Sequence, residues 1–338
     1  MTRHVALSVV VPTTDRRPDL LAACLTSVLA ALDQVSEPCE LLVIANGSRD
    51  GTSAVLAQSF PTAQVHTVRG SVGFTRAVTH GIKECRGEWV ATLNDDTTVE
   101  ENAFKALLAA ARSAPRVGAV AAQMRFAGRR TLLNSAGIEV DALGVGTDRL
   151  LGQSVEASES ETIEVFGASA GAALYKRAML EDLEGFDETF FAYLEDVDLA
   201  WRARMQGWRT LYAPCAVIHH HHSATLKHRS SFKYRLVGRN RVRMLAKNAT
   251  TSHLARHGAA IVAYDLAYVA YAAVSERTLA PARGRLEGLR EWRRYRRLGA
   301  PGRRAVPFCG SQGLRGALTR HRAWSLGKQA SGAPTAPP

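Results

Sequence analysis

At 338 residues and 46% hydrophobic content the chain has enough apolar material for a full core, which excludes a disordered or fibrous protein. Its net charge of +12 is unevenly spread: residues 1–199 carry 17 Lys/Arg against 27 Asp/Glu (−10), and residues 200–338 carry 26 against 4 (+22). The five cysteines, Cys24, Cys39, Cys85, Cys215 and Cys309, are odd in number and form no CxxC pair, which argues against a disulfide framework and for a reduced, cytoplasmic setting.

The first apolar run, Val5 to Val11, is closed by Pro12; it is too short for a signal peptide and reads as a buried strand. Further strands are expected at Leu41–Ala45, Gln64–Val68, Trp89–Leu93 and Val117–Ala121. Between them Asp19–Leu32, Thr52–Gln58, Gly73–Glu84 and Glu101–Arg112 have helical spacing. This alternation predicts an α/β fold, a doubly wound and mostly parallel sheet flanked by helices. Ligands bind such sheets beyond the carboxyl ends of the strands, here Pro12-Thr13-Thr14, Asn46-Gly47-Ser48, Gly70 to Gly73 and Asn94-Asp95-Asp96. Arg129 to Glu164 reads as loops and hairpins over that edge, with room for acceptor contacts. A helix follows at Leu194–Gln206, then a strand pair about Thr210–Ala213 and Val217–Ile218. The expected division is a catalytic domain over 1–225, a basic helical extension over 226–305 and a flexible tail over 306–338.

Three groups of residues carry chemistry. Asn94-Asp95-Asp96 places two carboxylates directly after a strand, where they suit a hard divalent cation on diphosphate oxygens; one of them can equally cap the next helix. In Phe190 to Arg202, helical phasing from Leu194 puts Leu194, Val197 and Trp201 on one face and Glu195, Asp198 and Arg202 on another. Such a stripe is commonly core plus solvated face, yet three acids beside four aromatics at a helix start also suit a catalytic carboxylate kept ionised by the helix dipole. His219 to His222 supplies either metal ligands or an exposed polar loop. Gly70 and Gly73 precede a helix start, where backbone N–H groups can meet phosphate.

Together these residues resemble family 2 glycosyltransferases, in particular the bacterial rhamnosyltransferase-like and galactofuranosyltransferase-like members. The resemblance runs from about Val9 to Lys247 through ordered blocks: Val9 to Thr13, Asn46 to Thr52, Val72 to Ala77, Gly87 to Val90, Leu93 to Thr97, Gly185 to Glu188, Glu195 to Leu199 and Gly207 to Arg209. It implies a GT-A fold and an inverting transfer of a sugar from a nucleoside diphosphate donor to a glycan or lipid-linked acceptor. Pro12, Thr13 and the Asn46 loop would surround the base, with Gly73 and Arg76 at the donor. Asp96 would be the principal ligand of Mg2+ or Mn2+, with Asn94 and Asp95 near the ribose or a second coordination position. His220, or else the adjacent His219, would complete the metal site, and Asp196 would be the general base. Glu195, Asp198 and Trp201 would contact the acceptor or support it. Two positions depart from the family: Ala45 stands where an Asp usually meets the pyrimidine base, and Ser71 stands where Asn is frequent.

The basic half reads as an amphipathic helix with Arg235, Arg239, Arg241 and Arg243 on one face. An apolar stretch of about 16 residues follows, Ala259 to Val274, short for a membrane span of about 20. The arginines of 283–297 come next. An interfacial anchor on an anionic membrane surface fits this order, as does a helix docked on the catalytic domain or an oligomer contact. The placement implied is cytoplasmic, at the inner face of the membrane. Nucleic-acid binding is the other use of such charge, disfavoured by the lack of a zinc-finger or RNP signature and by 7% aromatics. A catalytically inactive nucleotide-binding relative stays compatible with Ala45, and the sequence specifies neither sugar nor oligomeric state.

Overall fold

The computed structural model describes residues 5–14, 16–47, 52–221, 230–299 and 303–310. The first half folds as β1 (Leu7–Thr13), α1 (Pro18–Leu32), β2 (Cys39–Asn46), α2 (Thr52–Ser59), β3 (Ala63–Val68), α3 (Phe74–Glu84) and β4 (Trp89–Leu93), then β5 (Thr97–Val99), α4 (Ala103–Arg112) and β6 (Val117–Phe126). It continues through β7 (Arg129–Ser135), β8 (Ile138–Val140), β9 (Gly146–Asp148), β10 (Ile163–Val165), β11 (Ala172–Lys176), α5 (Arg177–Asp182), α6 (Glu195–Met205) and β12 (Arg209–His220). Four helices complete it: α7 (Ser231–Asn248), α8 (Thr251–Ser275), α9 (Ala280–Arg290) and α10 (Trp292–Leu298).

All seven residues of β1 are buried, as a strand with helices on both faces requires. The main sheet has the order β10-β12-β6-β11-β4-β1-β2-β3, with β5 on β12 and β7 on β6. Strands β1 to β4 are parallel, β11 is inserted antiparallel between β4 and β6, and β6 runs parallel with β12. Chain order reverses between β1 and β4, so a crevice opens at their carboxyl ends.

One core lies between the sheet and α1 and α4, through Leu21, Leu25, Phe104 and Leu107. A second lies under α3, α5 and α6, through Val78, Met179, Leu180 and Leu199. A third joins α6 to the C-terminal helices, with Val197 and Trp201 against Met244, Leu245 and Ile261.

Four expectations change. The strand pair after α6 is one strand, β12, whose register shifts between Ala213 and Val217; Pro214, with no N–H to donate, sits in that irregularity. The basic face of α7 is largely turned inward: Arg241 and Arg243 are buried and donate to the carbonyls of Gly144 and Thr189 at 2.7 Å each. The apolar stretch expected to be short for a span belongs to a 25-residue helix, long and apolar enough to cross a membrane by length and composition. The tail expected from 306 is docked as far as described, with Phe308 stacked on Phe166 and edge-on to Trp201. Ser48 to Gly51, His222 and 311–338 lie outside the described residues.

Candidate active site

At the switch between β1 and β4 lies a cavity of about 720 Å³. Thr13, the last residue of β1, donates from Oγ1 to Asp95 Oδ2 at 2.7 Å. Asn46, the last of β2, donates from Nδ2 to Gly73 O at 3.2 Å and accepts from Val72 N–H at 2.9 Å, which fixes the loop into α3. At Gly73, φ is +88° and a Cβ would lie 2.6 Å from Phe191 O, so only glycine lets this loop approach the start of α6.

Asn94 to Asp96 do not cap a helix. Strand β5 begins at Thr97, and α4 starts only at Ala103 behind Asn102, so both carboxylates are released from capping. Pairing of β5 with β12 brings His220 opposite Thr97, and His220 Nε2 lies 3.1 Å from Asp96 Oδ1. Its Nδ1 is 2.8 Å from Asn134 Oδ1. That oxygen can only accept, so Nδ1 carries the hydrogen and Nε2 faces Asp96 and, at 3.3 Å, Asn94 Nδ2. Burial disfavours the imidazolium, but Asp96, Asp148 and Asp95 outweigh it and raise the His220 pKa. The neighbouring His219 points to the other face of β12, 2.9 Å from Glu100, and lines no part of the cavity. Asp95 is pushed up to about 6 by burial and by Asp96, against the Thr13 hydrogen bond.

The opposite wall is the start of α6. Phe191, Tyr193 and Leu194 all have positive φ, 69°, 70° and 65°, a strained turn that aims the first residues of α6 into the cavity. Asn240 of α7 steadies it from behind, its Nδ2 2.8–3.0 Å from the carbonyls of Phe190, Ala192 and Tyr193. Asp196 accepts from Val197 N–H at 2.8 Å and Ala170 N–H at 3.2 Å. Burial, then the charge of Asp148, raise its pKa to about 6. Burial and Asp196 push Glu195 well above the carboxylate range, and its Oε2 is buried without a hydrogen-bond partner.

Pro12, Thr13, Asn46, Gly73, Asn94, Asp95, Asp96, Glu195, Asp196 and His220 thus share one cavity. Three other candidates do not reach it. Arg76 is exposed and pairs with Glu188 at 3.5 Å. Trp201 packs edge-on to Phe166 and Phe308. Asp198, expected on a solvated face, is fully buried and binds Arg202, Lys247 and Asn248 at 2.8, 3.1 and 2.8 Å. Sequence reasoning missed Asp148 of β9, Asn134 of β7 and Lys233 of α7, which line the cavity from segments with no motif.

Among the described residues no group of three or more His, Cys, Asp or Glu could hold a metal. Asp96 and His220 are a pair, and Mg2+ or Mn2+ commonly takes one or two protein ligands with substrate phosphates completing the shell. The donor set therefore fits a cation that arrives with a diphosphate.

The fold is that of the GT-A glycosyltransferases. GalNAc-T7, solved with UDP, GalNAc and Mn2+, superposes with TM-score 0.59 at 15% identity, covering 89% of this chain and 56% of that one. Residues 1–349 of TarS from S. aureus superpose at 0.54 and 16% identity, covering 87% and 83%. The family described as "Glycosyltransferase like family 2" matches residues 4–239, and the chain belongs to it. It is 30% identical over 216 residues to the N-acetylglucosaminyl-diphospho-decaprenol L-rhamnosyltransferase of Mycobacterium tuberculosis, covering 57% of this chain and 70% of the relative. To the O-antigen biosynthesis protein RfbC of Myxococcus xanthus it is 28% identical over 228 residues, covering 65% of this chain and 17% of the relative.

Proposed function

We propose that the cavity binds a nucleoside diphosphate sugar with Mg2+ or Mn2+, and that the sugar passes with inversion to a hydroxyl of a glycan or lipid-linked acceptor in cell-surface polysaccharide synthesis. The observation that carries this reading is one cavity shared by the Asp96–His220 pair, the Asn46–Gly73 loop and Asp196. A lipid-linked acceptor is supported by the name of the M. tuberculosis relative, and the cation by the Mn2+ in the GalNAc-T7 structure.

Asp96 and His220 would hold the cation, with Asn94 and Asp95 beside them. Bound there, a divalent cation neutralises charge developing on the departing diphosphate. Asp196 takes the acceptor hydroxyl proton as that oxygen bonds to the anomeric carbon, while the carbon–diphosphate bond breaks on the opposite face. One displacement inverts the centre. The two N–H groups on Asp196 fix its orientation, and burial together with Asp196 disfavours a charge on Glu195 beside it. Ala45 is buried and lines no part of the cavity, so Pro12, Thr13, Asn46 and Ser71 are left to meet the base.

The test is a thermal-shift screen of nucleoside diphosphate sugars with and without Mg2+ or Mn2+, since a ligand of the native state raises the melting temperature. The expected result is a donor-specific shift that needs the cation and is lost in Asp96→Ala. No shift with any donor and cation overturns the reading.

A further inference from the structure

Helix α8 is apolar on the side that faces away from the protein. Its inner face is anchored: Ile261 and Ala272 are buried, and Asp265 accepts from Arg241 at 2.8 Å and from Arg285 at 2.8 Å. Those two guanidinium groups also lie over the rings of Tyr264 and Tyr268, at 5.2 and 5.0 Å. Residues 261, 264, 265, 268 and 272 thus form one helical stripe, pinned to α7 and α9. The opposite stripe runs Ala255, Ala259, Val262, Ala263, Leu266, Ala270 and Val274, every one of them apolar and exposed. Val262, Leu266 and Val274 are 58%, 66% and 80% exposed. A surface helix in water ordinarily shows the reverse pattern, and an apolar stripe of this length marks a contact surface.

The charge around it says what the contact is. Arg256, Arg277, Arg283, Arg290, Arg293, Arg294 and Arg297 are exposed on α8 to α10 and the turn between them. Of the four acids in the same stretch, three are committed to arginines of the protein itself: Asp265, Glu287 with Arg235 at 2.7 Å and Glu291 with Arg243 at 2.6 Å. The exposed surface of α8 to α10 is therefore both apolar and cationic, with Leu286 and Leu289 exposed on α9 between Arg283 and Arg290. A second copy would set like charge against like charge. Polyanionic nucleic acid would leave the apolar stripe wet.

We propose that α8, α9 and α10 form a docking surface for an anionic lipid bilayer, with α8 lying along the interface and not across it. Apolar residues enter the headgroup–acyl boundary while arginines hold lipid phosphates, the arrangement of an interfacial helix. The ion-paired Asp265 on the inner face keeps the helix on the protein. This surface is independent of the sugar and the acceptor that the cavity takes.

The test is flotation of the full chain with vesicles of phosphatidylcholine alone and of phosphatidylcholine with phosphatidylglycerol in equal parts. Binding is expected to the mixed vesicles only. Arg293→Gln with Arg294→Gln should weaken it about 30-fold, the loss of two headgroup attractions. Val262→Asp with Leu266→Asp should abolish it while leaving the melting temperature and donor-induced thermal shift unchanged, because both side chains already face solvent. Equal flotation of both double variants and the parent overturns the proposal. So does a dimer in solution that the Val262→Asp/Leu266→Asp change dissociates, or retention on duplex DNA that the same change leaves intact.

Discussion

Asp196 carries opposite consequences for stability and for turnover. Its pKa, about 6, lies above that of an exposed Asp, so the folded state holds the proton more tightly than the unfolded chain. The cost of ionising it in the fold is therefore absent below the unfolded value near 4, grows as pH rises and is complete above about 6. Asp196→Asn should lower kcat by about 10²–10⁴-fold, the usual range for a general base, and yet raise stability at pH 7 by about 3 kcal/mol. Melting curves of the two proteins should converge at pH 4. A variant less stable than the parent at pH 7 contradicts this account. For the parent, kcat/KM should rise with pH to a plateau above about 6, because the ionised carboxylate is the base. Glu195, Asp148, Tyr175 and Lys233 face this group or lie near it, and Asp148 sets the upward shift together with burial. The clusters that hold Asp96, Asp196 and His220 were legible in the sequence, the choice of these three within them came from the resemblance to family 2 glycosyltransferases, and all three line one cavity. The roles of Asp198 and Trp201 were not legible. Helical phasing shows which side chains share a face, and α7 arrives from 50 residues away to bury that face.

At the scale of elements, the wall that holds Asp196 is a strained turn kept in place from another helix. The carbonyl groups of Phe190, Ala192 and Tyr193, just before α6, converge on the Asn240 amide. Asn240→Ala leaves them without that donor inside the protein, a cost of about 1–3 kcal/mol. It also releases a turn whose three positive-φ residues each favour relaxation. The expected outcome is a lowered melting temperature with a drop in kcat exceeding the change in donor affinity, read by steady-state kinetics beside the thermal shift. Gly73→Ala tests the facing loop: Cβ would collide with Phe191 O, so donor affinity should fall at least tenfold. Strands β1, β2 and β4 and helices α1 to α3 were legible to within two residues at their ends, because these strands are apolar runs bounded by helical periodicity, whereas β6 runs on from the expected Ala121 to Phe126. Strand β12 was misjudged, since Pro214 and Cys215 look like a turn although the strand passes through them with a shift of register. Strand β5 has three residues, too few for any period to show.

For the molecule as a whole, the C-terminal helices are part of the fold that presents the site. Composition showed a basic half of +22 but not that its charges serve two purposes. Arg241, Arg243 and Lys247 are buried and bind carbonyls and acids of the chain before α7, whereas Arg283 and Arg290 of α9 and Arg293, Arg294 and Arg297 of α10 are exposed. The central joint is Asp198, which ties α6 to Lys247 and Asn248 of α7. Burial opposes its charge, yet Lys247, Arg202 and Asn248 outweigh burial and hold its pKa below the ordinary value. Its contribution is therefore present above the unfolded pKa near 4 and lost as pH falls through the depressed folded value. Asp198→Ala removes the carboxylate that Arg202 and Lys247 share, leaving Lys247 only Asp187 at 2.7 Å, a loss of about 3 kcal/mol. Since α7 also carries Asn240, the damage should reach the active site: the variant should melt well below the parent at pH 7, lose transfer and bind donor weakly. In acid the stability gap should close, because the parent's carboxylate is protonated there as well. A variant whose gap to the parent is the same at pH 7 and pH 3 would show that packing, and not this charge network, joins the two parts of the chain.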